Sequence, residues 1–243
     1  MAPGFLIVYS EPGKEVSLHE FQDWYNNEHV PLRLNHLSSF LSGARYSASD
    51  SKTPAWVALY DIDNTATFSH ESYTRLRANR SPREAALVKK LELLDRRTCE
   101  GHTDSGESSL SSSLKSENPT KYLVTHGIAW DGDAESEKVA KEWAETSVTE
   151  SKKTEGWVRT RTFKVIDSLK TGLGISEGPE AQKVPIYFAV QEFLTAESAE
   201  SYAKQLAGST NNLPKVSIAE IRVWSLYRAY PGVGQGNLHV EAA

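Results

Sequence analysis

A short stretch near the N-terminus holds several side chains that can do chemistry. It reads "DWYNNEHVPLRL" over residues 23–34, and its candidates are Trp24, Tyr25, Glu28, His29 and Arg33. Tyr25, His29 and Arg33 follow one another at intervals of four residues, so on a helix they share one face. An imidazole can transfer protons near neutral pH, a hydroxyl can orient a substrate, and a guanidinium can hold a negative charge. The spacing therefore predicts a general acid/base site centred on His29.

Pro31 shapes the backbone around His29. Proline cannot donate the helical hydrogen bond, and the residue before it avoids the helical conformation. We therefore expect the helix to kink or end near Val30, which puts His29 in the last turn. The negative end of the helix dipole favours the charged ring there, whereas burial favours the neutral ring, so we expect a pKa near neutrality.

The neighbours of His29 have both a chemical and a structural interpretation. Glu28 lies on the helix stripe that should cover a sheet, and a buried carboxylate needs a partner or a function, so Glu28 is a second candidate acid or base. Trp24 is a core residue by position and is also a candidate substrate contact, as is Arg33. The stretch "LRANRSPREAALVKK" indicates a solvated helix corner, but three of its arginines could bind a carboxylate: Arg77, Arg80 and Arg83. The structural alternative is that His29 only caps a helix end or is a satisfied surface group.

The elements that must position these residues occur twice along the chain. The first set comprises an apolar run at 5–10, a helical stretch at 17–29, strands at 43–50 and 54–63, further helices and a strand at 93–102. Ser81 can cap the last of these helices, since Pro82 suits its first position and Glu84 follows three residues after the cap. The second set, in the same order, begins at residue 121. Such a repeat predicts an α+β fold, with two ferredoxin-like βαββαβ units packed sheet-to-sheet as an intrachain, pseudo-dimeric α+β barrel.

Four segments follow from this pattern. The first unit spans 1–103, a Ser-rich linker with almost nothing to bury spans 104–120, the second unit spans 121–235, and a tail spans 236–243. A fused pair has less need to associate with another copy, so we expect a monomer.

Composition excludes several classes of function. The formal charge of −5 and the lack of a basic run argue against a nucleic-acid partner. Cys99 is the only cysteine, so the chain has no intrachain disulfide or cysteine-based zinc site, and we expect a cytoplasmic protein. No apolar run is long enough to cross a membrane, and no nucleotide or metalloprotease motif is present. We therefore predict no metal, cofactor or membrane partner.

The segments "FQDWYNNEHVPLR", "GARYSASD", "PAWVALYDID" and "RLRANRSPRE" resemble the EthD-type branch of the dimeric α+β barrel superfamily, in particular its fungal members. Bacterial members commonly carry Pro-Gly where this chain has "NHLSSFLSG". The second unit departs further, because aligning Trp143 with Trp24 places Val148 where His29 would recur. The resemblance therefore implies one histidine site, with its counterpart in the second unit filled by side chains.

The resemblance also implies a function. It indicates a cofactor-independent enzyme of specialised metabolism that acts on a small hydrophobic, aromatic or polyketide substrate. Its chemistry would be acid/base cyclisation, dehydration, or lactone formation and hydrolysis, with the barrel interior as an apolar chamber. The alternatives are a cofactor-free monooxygenase, a haem protein with His29 as axial ligand, and a non-catalytic ligand-binding accessory protein.

Overall fold

Eight antiparallel strands close into one barrel in the computed structural model, which describes residues 2–130, 133–208 and 216–238. The strands are β1 (Gly4–Glu11), β2 (Phe40–Ala48), β3 (Trp56–Ile62), β4 (Leu93–Asp104), β5 (Tyr122–Trp130), β6 (Trp157–Thr171), β7 (Tyr187–Phe193) and β8 (Val216–Ala229). Their order around the barrel is β1-β3-β2-β8-β5-β7-β6-β4. The closed barrel predicted from the repeat is confirmed.

Helices lie on the outer side of this barrel. They are α1 (Leu18–Trp24), a π-helical turn (Tyr25–His29), α2 (Pro31–Leu34), α3 (Glu71–Ala78), α4 (Pro82–Val88), α5 (Ala134–Ser151) and α6 (Ala196–Gly208). Phe21 and Trp24 of α1 share one buried cluster with Leu6, Val8 and Tyr60 of the strands beneath. No helix among the described residues is long and apolar enough to span a membrane.

The barrel interior is a packed core. Phe5, Ile7 and Tyr9 of β1 belong to the interior cluster, whereas Leu6 and Val8 belong to the cluster beneath the helices. Both faces of β1 are therefore buried, which explains why it reads as a continuous apolar run. Aromatic side chains from strands on either side of β4 meet inside the barrel, as where Phe5 stacks on Phe163 with ring centroids 4.0 Å apart. These contacts fill part of the barrel interior, whereas Trp24 and Tyr25 of the histidine motif lie in the layer between helices and sheet.

The segment 104–120 is more than a solvated linker. Leu114 is fully buried in the interior cluster, contrary to the expectation that this stretch has almost nothing to bury. Ser113 and Thr120 each donate a hydrogen bond of 2.6 Å to the buried carboxylate of Glu192. The backbone carbonyl of Thr120 also accepts a hydrogen bond from the hydroxyl of Tyr46 in β2. Because Glu192 lies in β7, the segment is hydrogen-bonded to both halves of the barrel.

Two seams join the part that contains β1–β4 to the part that contains β5–β8. Residues 94–104 pair with 161–171, and residues 44–48 pair with 224–229. The predicted second unit includes 131–132 and 209–215, and the predicted tail includes 239–243, all of which lie outside the described residues.

Candidate active site

A π-helical turn carries the histidine motif. The backbone N–H of Val30 donates to the carbonyl of Tyr25 at 3.0 Å, a wider turn than an α-helix allows. The helix then resumes, because Leu34 donates to the Val30 carbonyl. Pro31 has no N–H to give and its ring crowds the preceding turn, so the backbone widens there instead of ending. Of the two alternatives expected near Val30, a kink or an end, the end is wrong, because helical hydrogen bonds continue from the π-helical turn into α2.

His29 and Glu84 form a buried pair. The Nδ1 atom of His29 lies 2.9 Å from Oε1 of Glu84, and the two side chains are 12% and 3% exposed. Burial and the nearby charge of Arg33 lower the pKa of His29 to about 4, although Glu84 acts in the opposite direction. The predicted pKa near neutrality is therefore wrong, and the ring is neutral at physiological pH. A neutral ring donates its Nδ1 proton to the carboxylate, which leaves Nε2 with the basic lone pair.

Glu84 owes its position to the start of α4. Ser81 caps this helix by accepting a hydrogen bond of 3.0 Å from the Glu84 backbone N–H, as the capping pattern predicts, and Pro82 follows at the first helical position. Burial alone would raise the pKa of Glu84, but the hydrogen bond from His29 and the charges of Arg33 and Arg80 lower it overall. Sequence reasoning assigned Glu84 only to the cap and missed its contact with His29.

Aromatic rings hold the imidazole in place. The centroid of the His29 ring lies 4.6 Å from that of Trp24 and 5.1 Å from that of Tyr25. The predicted grouping of Trp24, Tyr25 and His29 is thus present in the structure. Burial raises the pKa of Tyr25, so its hydroxyl stays protonated at physiological pH.

Arg33 is a buried cation beside the histidine. Its residue is 5% exposed, and its Nη1 atom donates to the backbone carbonyl of His29 at 2.5 Å. Within the described ranges no carboxylate oxygen lies within 4.0 Å of its guanidinium nitrogens. Glu84 compensates this charge only through space and not by a direct ion pair, so this position favours an anionic or strongly polar ligand.

Arg45 is a second buried cation in the same layer, and sequence reasoning missed it. It projects from β2 under the helix, where its guanidinium carbon lies 4.0 Å from the centroid of Tyr25, and it donates to Oε1 of Gln22 at 2.6 Å. Its Nε and Nη2 atoms, the indole nitrogen of Trp24 and the hydroxyl of Tyr60 are buried with no hydrogen-bond partner among the described residues. Native proteins leave few such groups unpaired. The layer between helix and sheet can therefore form more hydrogen bonds than those among its own side chains.

Other predicted residues lie outside this group. Glu28 turns toward α4, where it accepts a hydrogen bond of 2.5 Å from the Ser81 hydroxyl, instead of meeting the His29 ring. Arg83 pairs with the exposed Asp23 at 2.5 Å. Of the remaining arginines, Arg80 lies 3.8 Å from Oε1 of Glu84 and so adjoins the pair.

Arg77 and Arg80 both line a cavity of about 380 Å³ on the outer side of the barrel. Arg80 therefore adjoins both the His29–Glu84 pair and this cavity.

The second half of the barrel differs from the first. Val148, which aligns with His29, lies within the uninterrupted α5. The layer beneath α5 nevertheless holds a buried histidine, His126, whose Nε2 atom lies 2.9 Å from Nε2 of Gln191. Burial lowers its pKa to about 3. The second half is thus not purely apolar, and no motif around His126 in the sequence signals this.

Comparison with known proteins identifies a shared fold. No family model matches the chain, and no curated protein matches it. Among solved structures, the chain is similar to an anthrone oxidase-like protein, with 8% sequence identity, a TM-score of 0.61, and coverage of 100% of this chain and 97% of the other. It is also similar to a candidate monooxygenase from Lactobacillus acidophilus NCFM, with 9% identity, a TM-score of 0.51, and coverage of 95% and 99%. At these identities the likeness shows a shared fold, which in this chain is a closed barrel of eight antiparallel strands.

Proposed function

We propose that this protein is a cofactor-independent enzyme of the EthD-type branch, in which His29 acts as a general base on a small, acidic aromatic or polyketide-like substrate. One observation carries the proposal: a neutral imidazole is held by a buried carboxylate next to a buried arginine that makes no direct ion pair with a described residue. We also propose that the chain is a fused pair of ferredoxin-like units. The strand orders β4-β1-β3-β2 and β8-β5-β7-β6 support this, since each is the same order counted from its own first strand.

The base works through Nε2. A substrate C–H or O–H proton moves to this nitrogen, and the electron pair that it leaves is delocalised onto a substrate oxygen as an enolate or phenolate. Glu84 stabilises the imidazolium so formed, and Arg33 holds the new oxyanion. The anion also offsets the positive charge of Arg33, which is one of the causes that depress the pKa of His29. Substrate ionisation and protonation of the base therefore support each other.

Trp24 and Tyr25 orient the ring in this proposal. Trp24 packs against His29, and the protonated Tyr25 hydroxyl is available as a hydrogen-bond donor to the substrate. Because Glu28 bonds Ser81 and Arg83 pairs with Asp23, we assign both to positioning the π-helical turn against α4. Arg80, which lies 3.8 Å from Glu84, is a candidate for the substrate's distal end, whereas Arg77 lines the cavity of about 380 Å³.

The enolate can have more than one fate. Loss of a neighbouring hydroxyl as water gives dehydration, attack of the carbon on a second carbonyl gives cyclisation, and attack of a deprotonated hydroxyl on an ester with loss of its alcohol gives a lactone. Attack on dioxygen gives a peroxide that loses one oxygen as water and keeps the other as a carbonyl, which is monooxygenation. The names of the structural neighbours, an anthrone oxidase-like protein and a candidate monooxygenase, make the oxygen-dependent fate the second candidate function. Turnover that stops under anaerobic conditions would identify it.

Haem does not fit the surroundings of His29. An axial ligand needs an open plane for the macrocycle over its nitrogen. Here the ring packs against Trp24 and Tyr25, and the side chain is only 12% exposed. The described residues also contain no cluster of three or more side chains suited to a metal ion.

Proton abstraction can be measured without knowing the final product. We suggest anthrone as the probe, incubated anaerobically in deuterated buffer, with exchange at its methylene followed by NMR. His29→Gln should slow the catalysed exchange by roughly two to four orders of magnitude, the usual worth of a positioned proton-transfer group. His19→Gln, on the exposed face of α1, is the matched control.

Two outcomes would contradict the proposal. Exchange above the buffer rate that is equal in the wild type and His29→Gln would remove His29 from the chemistry. Tight binding of anthrone by the wild type, without exchange above the buffer rate, would favour a non-catalytic ligand-binding protein.

A further inference from the structure

The cavity of about 380 Å³ lies between the corner of α3 and α4 and the outer faces of β4 and β6. Four of its lining residues are basic: Arg77, Arg80, Lys89 and Arg96. None of its lining residues is acidic. The chain as a whole carries a formal charge of −5, so this cavity is a local reversal of the molecule's charge.

Only part of this positive charge is compensated. Arg96 pairs with Asp167 at 2.5 Å, and Arg80 lies 3.8 Å from Glu84. Arg77 and Lys89 have no carboxylate within 4.0 Å among the residues that the structure describes. Burial and the charge of Arg96 lower the pKa of Arg77, which shows that these cations oppose one another in the empty cavity. An anion placed between them would relieve that repulsion.

The rest of the cavity is apolar. Val88 and Leu94 adjoin the core cluster beneath the helices, and Leu169 and Leu173 line the side nearer the surface. Leu169 is 40% exposed and Leu173 is 61% exposed, although both are large aliphatic residues. Cations beside aliphatic walls suit a ligand that is charged at one end and apolar at the other.

We propose that this cavity binds a small organic anion, a carboxylate or sulfonate on an aromatic or alkyl body. Its charged group lies between Arg77 and Arg96, and its body covers Leu94, Leu169 and Leu173. The inference goes beyond the proposed function, since binding here requires no proton transfer at His29.

Titration calorimetry with 2-naphthoate tests the proposal, with 2-naphthylmethanol as the uncharged analogue. The wild type should bind naphthoate and bind the alcohol at least about tenfold more weakly, because a charge-assisted hydrogen bond is worth roughly 1.5–3 kcal/mol. Arg77→Gln should weaken naphthoate binding by at least about tenfold as well. Arg75→Gln, on the exposed side of the same helix, should bind naphthoate as the wild type does.

Arg77→Gln should also fold normally, because Arg77 makes no ion pair with a described residue and is repelled by Arg96. Its melting temperature without ligand should equal or exceed that of the wild type. Equal affinity for the acid and the alcohol, or unchanged binding by Arg77→Gln, would overturn the proposal, as would binding to phosphatidylserine vesicles with none to naphthoate. His29→Gln should retain naphthoate binding, so a failure of catalysis at His29 is distinguishable from a failure of this site.

Discussion

Acidification should destabilise the fold through His29. Its pKa is about 4 in the folded chain against 6.5 for an ordinary histidine, so the unfolded chain binds the proton more tightly. The contribution to stability is complete above pH 6.5 and is lost progressively as the pH falls toward 4. This dependence follows from the same burial that makes His29 a neutral base, so it tests the premise of the proposed mechanism.

The size of the effect follows from the two pKa values. At about pH 5 an unfolded histidine is mostly charged and the folded one mostly neutral, a difference worth about 2 kcal/mol, whereas near pH 7.5 the difference is close to zero. His126, with a pKa of about 3, adds a similar dependence that does not involve the site. The useful quantity is therefore the difference between wild type and His29→Gln, in which the contribution of His126 cancels.

Urea unfolding at about pH 7.5 and about pH 5 measures this quantity. The wild type should lose about 2 kcal/mol more than His29→Gln over this interval. The comparison is valid only if the two proteins have equal m-values, which would show that the variant exposes the same surface on unfolding. An equal loss by both proteins would refute the reasoning, because His29 would then not be held neutral by burial.

Three further predictions concern the contacts around the site and the barrel. Glu84→Gln should lower the pKa of His29 further, and should slow anthrone exchange by roughly 10- to 1000-fold, because a buried counter-charge shifts a pKa by about 1–3 units; an unchanged NMR titration would contradict it. Leu114→Ala should reduce the free energy of unfolding, measured in urea, by about 2–5 kcal/mol. An unchanged free energy of unfolding would mean that the interior around this side chain is not close-packed. Ser81→Ala should cost about 1 kcal/mol by calorimetry, and an unaltered melting temperature would mean that its cap and its bond to Glu28 contribute nothing.

The barrel could be predicted because its signals are local and repeated. Apolar runs at 5–10 and 54–63 correspond to β1 and β3, and the stretch at 93–102 corresponds to β4, which ends at Asp104. The cap at Ser81 was likewise predictable, since it depends only on the next three residues. Boundaries shifted where tertiary pairing extends a strand, as in β4, which continues to Asp104 through its pairing with Arg161 of β6.

The course of the chain at Pro31 could not be predicted from propensity. Proline rules predict a helix end, and they are correct about the missing N–H. These rules take no account of Leu34, which is fully buried on the sheet. Its burial stabilises a helix that continues past the proline. A single π turn accommodates the missing N–H of Pro31 and still allows the helix to continue to the buried Leu34.

Glu84, Arg45 and Leu114 could not be recognised from the sequence, each for a different reason. Glu84 already had a local explanation as part of a capping motif, so nothing in the sequence pointed to a contact across 55 positions. Arg45 lies in a strand whose other residues are mostly buried. A charged residue in such a strand is unusual, and this was the signal that could have identified Arg45 as a functional residue. Leu114 was hidden by its serine-rich surroundings, since one apolar residue gives no periodicity.

The two seams of the barrel are unequal, whereas a symmetric homodimer would have two identical ones. The long seam pairs 94–104 with 161–171, but the short seam pairs only 44–48 with 224–229. Thermal opening should begin at the short seam, because fewer ladder bonds hold it. Arg45 belongs to that short seam and lies directly beneath Tyr25. The histidine motif therefore lies next to the more easily opened of the two seams, where we expect a ligand to enter the layer between helix and sheet.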